Sequence, residues 1–345
     1  MFRLGGVECP LLTTMKRKNT TMRATRYIHY IYIIGIAFLL QACHRDSHPS
    51  NPHMEEQAIG LYATSVESTT RALINSAADL QSFRVDAYKE GTANEQVFSK
   101  HEITRSGTKW EYTPVRYWDT KGYYYFGAYS PENTAISTET KGVLTISAPN
   151  WQTIDGTEKD IIVATSQGAA TGYLNDYNGT VKFDFEHILA QLEVKIVRNS
   201  ILVNKYKLTG LDYIQVPVGD GTTAYTLNYT TPTSSAMATP TMGSKVVHSG
   251  TAVEVYPEAK PQTTFTHLVV PFSTQAESEL QVKVYYSIND VDATPIAVNT
   301  GLKTLEAGKR YVLTLTFDSG ARIKPYLEVL DWDTKEVDED DKYNW

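Results

Sequence analysis

Residue types that perform catalysis occur in this sequence, but they are not grouped in the patterns that known chemistry requires. There is no G-x-S-x-G nucleophile motif, no glycine-rich phosphate loop and no H-E-x-x-H zinc motif. Four histidines follow residue 100, and none has a partner at the spacing of a metal-ligating pair. The residues therefore predict no catalytic residue, no metal site and no cofactor. An enzyme such as a glycoside hydrolase is the weakest alternative.

One of these histidines, His187, lies in a patterned apolar stretch. It follows Phe185 at the two-residue period of a β-strand, so both side chains point to the same face. Buried polar groups need a hydrogen-bond partner. We therefore expect a buried, hydrogen-bonded structural histidine rather than a catalytic base.

Two further groups of side chains could bind ligands. The acidic C-terminal tail could bind Ca²⁺, but it lacks a glycine-centred ligand loop, so a solvated tail is favoured. A set of aromatic residues could stack on sugars, although such residues are also typical of a sandwich core. These are Trp118, Tyr123, Tyr124, Tyr125 and Trp151.

The composition is that of a globular protein rich in β-structure. The chain has 345 residues, of which 41% are hydrophobic and 21% charged, with 23 tyrosines. Aromatic and β-branched residues favour strands. The formal net charge is −7 although the first 42 residues are basic, so the remainder is strongly acidic. An acidic body lacks the positive surface that binds phosphate backbones, which excludes nucleic acid as a partner.

The first 42 residues have the organisation of a signal peptide. Basic residues precede a run of ten apolar or small residues, Ile31–Leu40, and small Ala42 ends the segment. The run is too short for a typical membrane-spanning helix, so an uncleaved anchor helix is the lesser alternative. Met1, Met15 and Met22 are all possible initiators, and the latter two give a leader of more usual length.

Cys43 follows this leader directly. The sequence Leu40-Gln41-Ala42-Cys43 resembles the lipobox of bacterial lipoproteins, which implies a lipid on Cys43. Two or three acyl chains on one cysteine give stable membrane attachment. The only other cysteine, Cys9, is lost with the leader, so no disulfide is expected.

After a polar tether, residues 43–57, the sequence predicts an all-β fold. Some fifteen short strands separated by turn residues, without a long helical period, indicate two tandem β-sandwich domains, residues 58–180 and 181–345, the second with the acidic tail. Asn178-Gly179 predicts a hairpin turn. The apolar positions change parity between His187 and Ala190, which predicts a bulge or a helical turn there.

Several motifs in sequence order resemble the fimbrillin-like proteins of Bacteroides-type bacteria. The resemblance covers nearly the whole mature chain. Its motifs are Thr70-Arg71-Ala72, the stretch from Phe83 to Tyr88, Tyr117–Thr120 with Tyr125–Pro131, the stretches 160–164 and 181–192, and Leu305–Tyr311 followed by Ile323 and Trp332.

This resemblance implies transthyretin-like, Greek-key sandwiches and the role of a type V pilus subunit. In the family, the precursor reaches the cell surface as a lipoprotein, and an Arg- or Lys-specific protease removes the first strand. Arg71 matches the cleavage position, so Ala72 would become the new N-terminus. The removed strand would carry Ile59, Leu61 and Ala63, which alternate toward one face.

The resemblance also implies the partners and the location. The vacated groove would accept a donor strand from a neighbouring subunit, in a homopolymer or a heteropolymer at the outer membrane surface. The C-terminal segment would be this chain's own donor, with an apolar face formed by Ile323, Leu327, Val329 and Leu330. The alternative is an uncleaved surface lipoprotein that serves as pilus anchor, tip or glycan- or peptide-binding adhesin.

Overall fold

The computed structural model describes residues 57–65, 80–91, 95–130, 135–147, 154, 156–218, 223–260, 263–274, 278–319 and 322–332. All of them belong to one compact unit, Met54–Trp345. The strands are β1 Gly60–Ser65, β2 Ser82–Glu90, β3 Glu95–Ser106, β4 Lys109–Glu111, β5 Tyr123–Ser130, β6 Ala135–Thr140, β7 Val143–Ser147, β8 Ile162–Ala169, β9 Thr180–Asp184, β10 Glu186–His187, β11 Ala190–Arg198, β12 Tyr206–Pro217, β13 Tyr225–Asn228, β14 Ala236–Met237, β15 Met242–Glu254, β16 Thr263–Val269, β17 Phe272–Ser273, β18 Gln281–Ile288, β19 Val291–Asp292, β20 Ile296–Asn299, β21 Thr304–Leu305, β22 Lys309–Asp318 and β23 Arg322–Asp331.

The described residues also contain one α-helix, α1 Ala170–Asp176, and a 3₁₀ turn, Pro232–Ser234. The all-β prediction is therefore confirmed. No helix among the described residues is long and apolar enough to cross a membrane.

The first large sheet has six strands in the order β10-β8-β5-β2-β3-β4. Its central strand β5 is buried on both faces: Tyr124, Phe126 and Ala128 enter one core cluster, and Tyr129 enters another. The sequence of a strand that is covered on both faces is a continuous apolar run rather than an alternation of apolar and polar residues. This explains the aromatic stretch from Tyr123 to Tyr129.

A four-stranded sheet, β14-β13-β7-β6, contributes to the second of these clusters. Its central pair brings Leu227 opposite Leu144 and Tyr225 opposite Ile146. The strands β7 and β13 lie on opposite sides of the predicted domain boundary at residue 180, and the division into two tandem domains stays a prediction.

The C-terminal part builds its core between two further sheets, β16-β11-β22-β23 and β15-β12-β18-β19, with β20 paired to β18. β11 and β22 run parallel and carry a buried ion pair, in which Arg310 donates two hydrogen bonds to one oxygen of Glu193. The inward residues of β11, Leu192, Val194 and Ile196, follow the predicted even positions.

The predicted hairpin at Asn178-Gly179 is wrong, although both residues have the positive φ that this dipeptide favours, 51° and 73°. The element before the turn is α1, and the strand after it, β9, pairs in parallel with β1. Ala170, Tyr173 and Leu174 give α1 a buried stripe at helical spacing. This spacing was the sequence signal for the helix.

The predicted bulge or helical turn between His187 and Ala190 is also wrong. The chain changes sheet there: β10 pairs with β8, whereas β11 pairs with β16 and β22. Ile188 and Leu189 are buried between the two pairings, and the Ile188 amide donates to the Ile161 carbonyl oxygen (3.1 Å). The parity changes because Phe183 and Phe185 before the break belong to one core cluster, and Leu192 and Val194 after it belong to another.

Candidate functional site

The first strand, β1, forms a two-stranded parallel pair with β9. Ile59, Leu61 and Ala63 alternate into the core and are 1%, 5% and 2% exposed, whereas Tyr62 is 44% exposed. Leu61 lies opposite Val181, and Ala63 lies opposite Phe183. The period-two pattern of the sequence thus places three apolar side chains on the buried face.

The opposite edge of this segment is held by residues 112–118. The Ile59 amide donates to the Arg116 carbonyl oxygen (2.8 Å), and the Trp118 amide donates to the Gln57 carbonyl oxygen (3.0 Å). The Tyr112 hydroxyl donates to the Ile59 carbonyl oxygen (2.7 Å), and burial raises the pKa of this hydroxyl. We call the groove between β9 and residues 112–118, which residues 57–65 fill, the β1 slot.

The walls of the β1 slot are aromatic. Phe83, Trp118, Phe126 and Phe183 belong to the same buried cluster as Ile59, Leu61 and Ala63. These rings meet edge to face; the centroids of Phe83 and Phe183 are 5.7 Å apart. An empty slot would therefore expose a contiguous apolar wall to water.

β1 comes close to β9 at Gly60, which lies opposite Thr180. A Cβ added at Gly60 would lie 2.7 Å from the Thr180 Oγ1 and 3.3 Å from its Cα. The Gly179 carbonyl oxygen accepts from both the Gly60 amide (2.8 Å) and the Trp118 Nε1 (3.0 Å), which fixes the start of β9 against β1. Sequence inspection missed Gly60 and Thr180 because their roles depend on a pairing between residues distant in sequence.

The C-terminal strand, β23, pairs with β22 over ten residue pairs, from Lys309 opposite Asp331 to Asp318 opposite Arg322. Among the described strands it lies at the edge of its sheet. Ile323 and Leu327 are half-buried against the C-terminal core, and Val329 is 52% exposed. Leu330 lies on the other face of the strand, so the four expected donor residues are not on one face in this arrangement.

Trp332 ends the described chain in a buried position. Its ring stacks on the imidazole of His187, with centroids 4.2 Å apart and planes 1° from parallel. His187 is buried, and its Nδ1 lies 3.0 Å from the Oδ1 of buried Asp160. The prediction of a buried, hydrogen-bonded histidine is confirmed.

The aromatic residues considered for sugar stacking divide into two groups. Trp118 and Tyr124 are buried and belong to the core, so they cannot stack on a surface ligand. Tyr123 is 39% exposed, and Tyr125 stacks on Tyr88 with a centroid distance of 5.0 Å. Burial, together with a hydrogen bond to Glu90, raises the pKa of Tyr125 to about 12.

A family model described as fimbrillin-like matches residues 55–332 of this sequence. The chain belongs to the fimbrillin-like family. The matched range begins just before β1 and ends at Trp332, so it contains both the β1 slot and β23.

Solved structures show the same fold. This fimbrillin-like chain is similar to a fimbrial protein from Bacteroides vulgatus, with 17% identity and a TM-score of 0.55 over 80% of this chain and 99% of that one. It is also similar to a putative cell adhesion protein from Bacteroides uniformis, with 18% identity and a TM-score of 0.51 over 80% and 98% of the two chains. No curated protein sequence matches the chain significantly.

Several predicted site residues of this fimbrillin-like chain lie outside the described residues. These are Cys43, Arg71, Ala72 and Trp151. Among the described residues, no group of three His, Cys, Asp or Glu side chains could hold a metal ion.

Proposed function

We propose that this protein is a non-catalytic structural and adhesive subunit of a type V-like surface fimbria. It is exported as a lipoprotein with lipid on Cys43, anchored in the outer membrane, and cut after Arg71 by an Arg-specific surface protease. It then assembles with other fimbrial subunits by donor-strand exchange. The observation that carries this proposal is the position of β1, a short strand whose side chains complete a core built by the rest of the chain.

The proposed cut would free the whole of β1. Arg71 lies between Ser65, where β1 ends, and Leu80, where the described chain resumes before β2. Cleavage after Arg71 therefore leaves β2 and every later strand unbroken. It separates from the body a segment that carries Cys43 and its lipid, so the subunit would leave the membrane when β1 leaves the slot.

The emptied β1 slot would be a strong site for another strand. It would expose the apolar wall that Ile59, Leu61 and Ala63 cover, and burial of a large aliphatic side chain is worth about 1.5–3 kcal/mol. It would also leave one edge of β9 unpaired, which is a template for strand addition. This chain's own donor in this proposal is the C-terminal segment with β23, which would enter the slot of a neighbouring subunit and, among the described residues, lies at a sheet edge with one pairing partner.

The names of the similar structures support a location at the cell surface. They are a fimbrial protein and a putative cell adhesion protein. Assembly at the surface requires the export route that the leader and Cys43 predict.

The deciding experiment is N-terminal sequencing and intact mass measurement of the protein recovered from its native cell surface. We expect a chain that begins at Ala72. Arg71→Ala should keep the lipid-bearing precursor intact, and Arg71→Lys distinguishes a protease that is specific for arginine from one that also accepts lysine. An acylated Cys43 terminus in the assembled form would overturn the proposal in favour of an anchor or a surface-bound adhesin, for which a glycan array is the next test.

A further inference from the structure

We propose that the β1 slot accepts only a strand with glycine opposite Thr180, and that this strand comes from a different subunit rather than from the C-terminal segment of a second copy. This inference rests on the strand exchange proposed above and names its partner. The strand it requires has the pattern apolar, glycine, apolar, any residue, small apolar.

The glycine requirement follows from the close approach at Gly60. A Cβ there would lie 2.7 Å from the Thr180 Oγ1 and 3.3 Å from both its Cα and its Cβ. Rotation about χ1 of Thr180 can turn its Hβ toward this point, but the 3.3 Å approaches to the Cα and the Cβ do not depend on χ1, so the added methyl group stays in a tight contact. The backbone at this point cannot retreat easily because the Gly179 carbonyl oxygen accepts from both Gly60 and Trp118.

The neighbouring positions complete the pattern. Ile59 and Leu61 are buried on either side of Gly60 and belong to the same core cluster as the aromatic wall. Ala63 is also buried, opposite the large ring of Phe183, so the position has room for a small side chain. Tyr62 points outward and tolerates any residue.

The C-terminal segment of this chain does not fit this pattern. From Arg322 to Trp345 it contains neither glycine nor alanine. We can align residues 322–332 on β1 so that two apolar residues take the positions of Ile59 and Leu61. In every such alignment, with the strand in either direction, the residue between them lies opposite Thr180 and is charged or bulky. These residues are Lys324, Tyr326, Glu328 and Asp331.

Residues 322–345 of one copy therefore cannot fill the slot of the next copy. The segment can still donate to a slot of different shape on another subunit. The geometry thus points to a heteropolymer, in which the chain that follows at the β1 slot is a different protein with glycine in its donor strand.

The test uses the full chain with a protease site inserted between Ser65 and Leu80. After cutting, the nicked strand stays in the slot, and labelled peptides compete for it, with exchange followed by native mass spectrometry. We expect the peptide of residues 57–65 to exchange, and its Tyr62→Ala form to exchange equally well. The Gly60→Ala form should bind about tenfold or more weaker, because overpacking at a close contact is costly. The peptide of residues 322–345 should not exchange.

A compensating change tests the contact itself. In the intact chain, Gly60→Ala should lower the melting temperature, and Thr180→Gly should recover part of that loss in the double variant. Gly172→Ala is the matched control, because a Cβ at Gly172 in α1 meets no atom within 4 Å. If the Gly60→Ala variant does not fold, the double variant and the Gly172→Ala control show whether the contact with Thr180 is the cause.

The outcomes separate the two proposals. If the native peptide fails to exchange, strand exchange at this slot is wrong. If the native peptide exchanges but the Gly60→Ala or 322–345 peptide binds as well, strand exchange stands and the glycine rule is overturned.

Discussion

The first and last described strands both lie at sheet edges, but different forces hold them. β1 forms a short parallel pairing with β9, and together with Ile59 directly before it sends three side chains into an aromatic core. β23 forms ten pairs with β22, and most of its side chains face solvent. Apolar burial therefore dominates the hold on β1, whereas the backbone ladder dominates the hold on β23.

This difference matches the two roles that strand exchange requires. Loss of β1 exposes a core wall, which creates a need for a replacement strand. Loss of β23 exposes a ladder edge and the half-buried sites of Ile323 and Leu327, and it leaves the aromatic core near β1 intact. A strand with one solvent-exposed face is the better donor. A slot whose apolar walls are unfavourable in water is the better acceptor.

The largest expected effect comes from placing a charge in the β1 slot. Ile59→Asp would bury an unpaired carboxylate against aromatic rings, so we expect the free energy of unfolding to fall by more than about 3 kcal/mol. Tyr62→Asp, on the exposed face beside Lys182, should change it by less than about 1 kcal/mol. Urea denaturation of both variants is the measurement. Equal effects would contradict the alternation of β1.

The second effect concerns Trp332, the buried residue that directly follows β23. Trp332→Ala removes a ring that stacks on His187 and belongs to a buried core cluster. The substitution should lower the free energy of unfolding by about 3 kcal/mol. Val329→Ala, three residues earlier and exposed, should cost no more than about 0.5 kcal/mol. Urea denaturation compares the pair. A small effect of Trp332→Ala would mean that β23 is held by its ladder alone.

The sequence predicted what depends on local periodicity and missed what depends on pairing. The alternation of Ile59, Leu61 and Ala63 needs only a two-residue period, and the structure buries all three. The contact of Gly60 with Thr180 needs the register of β1 on β9, which no local pattern contains.

The aromatic run shows the same limit. Trp118 and Tyr124 could be assigned to the core only once β5 was known to be covered on both faces. The stretch 170–176 had a helical stripe, but it was too short to stand out among the strands.

A smaller effect is expected from one hydrogen bond that holds the start of β1. Tyr112→Phe removes the donor to the Ile59 carbonyl oxygen and should lower the free energy of unfolding by about 1 kcal/mol. Tyr326→Phe, on the exposed face of β23, should leave it unchanged. Hydrogen exchange at the Ile59 amide would localise the effect, and unchanged protection there would contradict it.

The smallest expected effect is a pH dependence beside the β1 slot. The hydrogen bond from the Lys89 Nζ (2.7 Å), with a further one from the Lys121 amide, holds the pKa of Asp119 below its usual range. Because the folded-state pKa is below the unfolded value of about 4, this stabilisation is complete above pH 4 and is lost as the pH falls through the lowered value. Asp119 is partly exposed, so the contribution is below about 1 kcal/mol.

Asp119→Asn should therefore flatten the acid limb of the stability profile without changing its neutral plateau by more than this amount. Asp318 at the end of β22, paired with Lys324 of β23, is the comparison for a lysine–aspartate pair at the other sheet edge. If Asp318→Asn flattened the acid limb as much as Asp119→Asn, the acid sensitivity would belong to lysine-paired carboxylates in general, and the contrast between the two edges would rest on apolar burial alone.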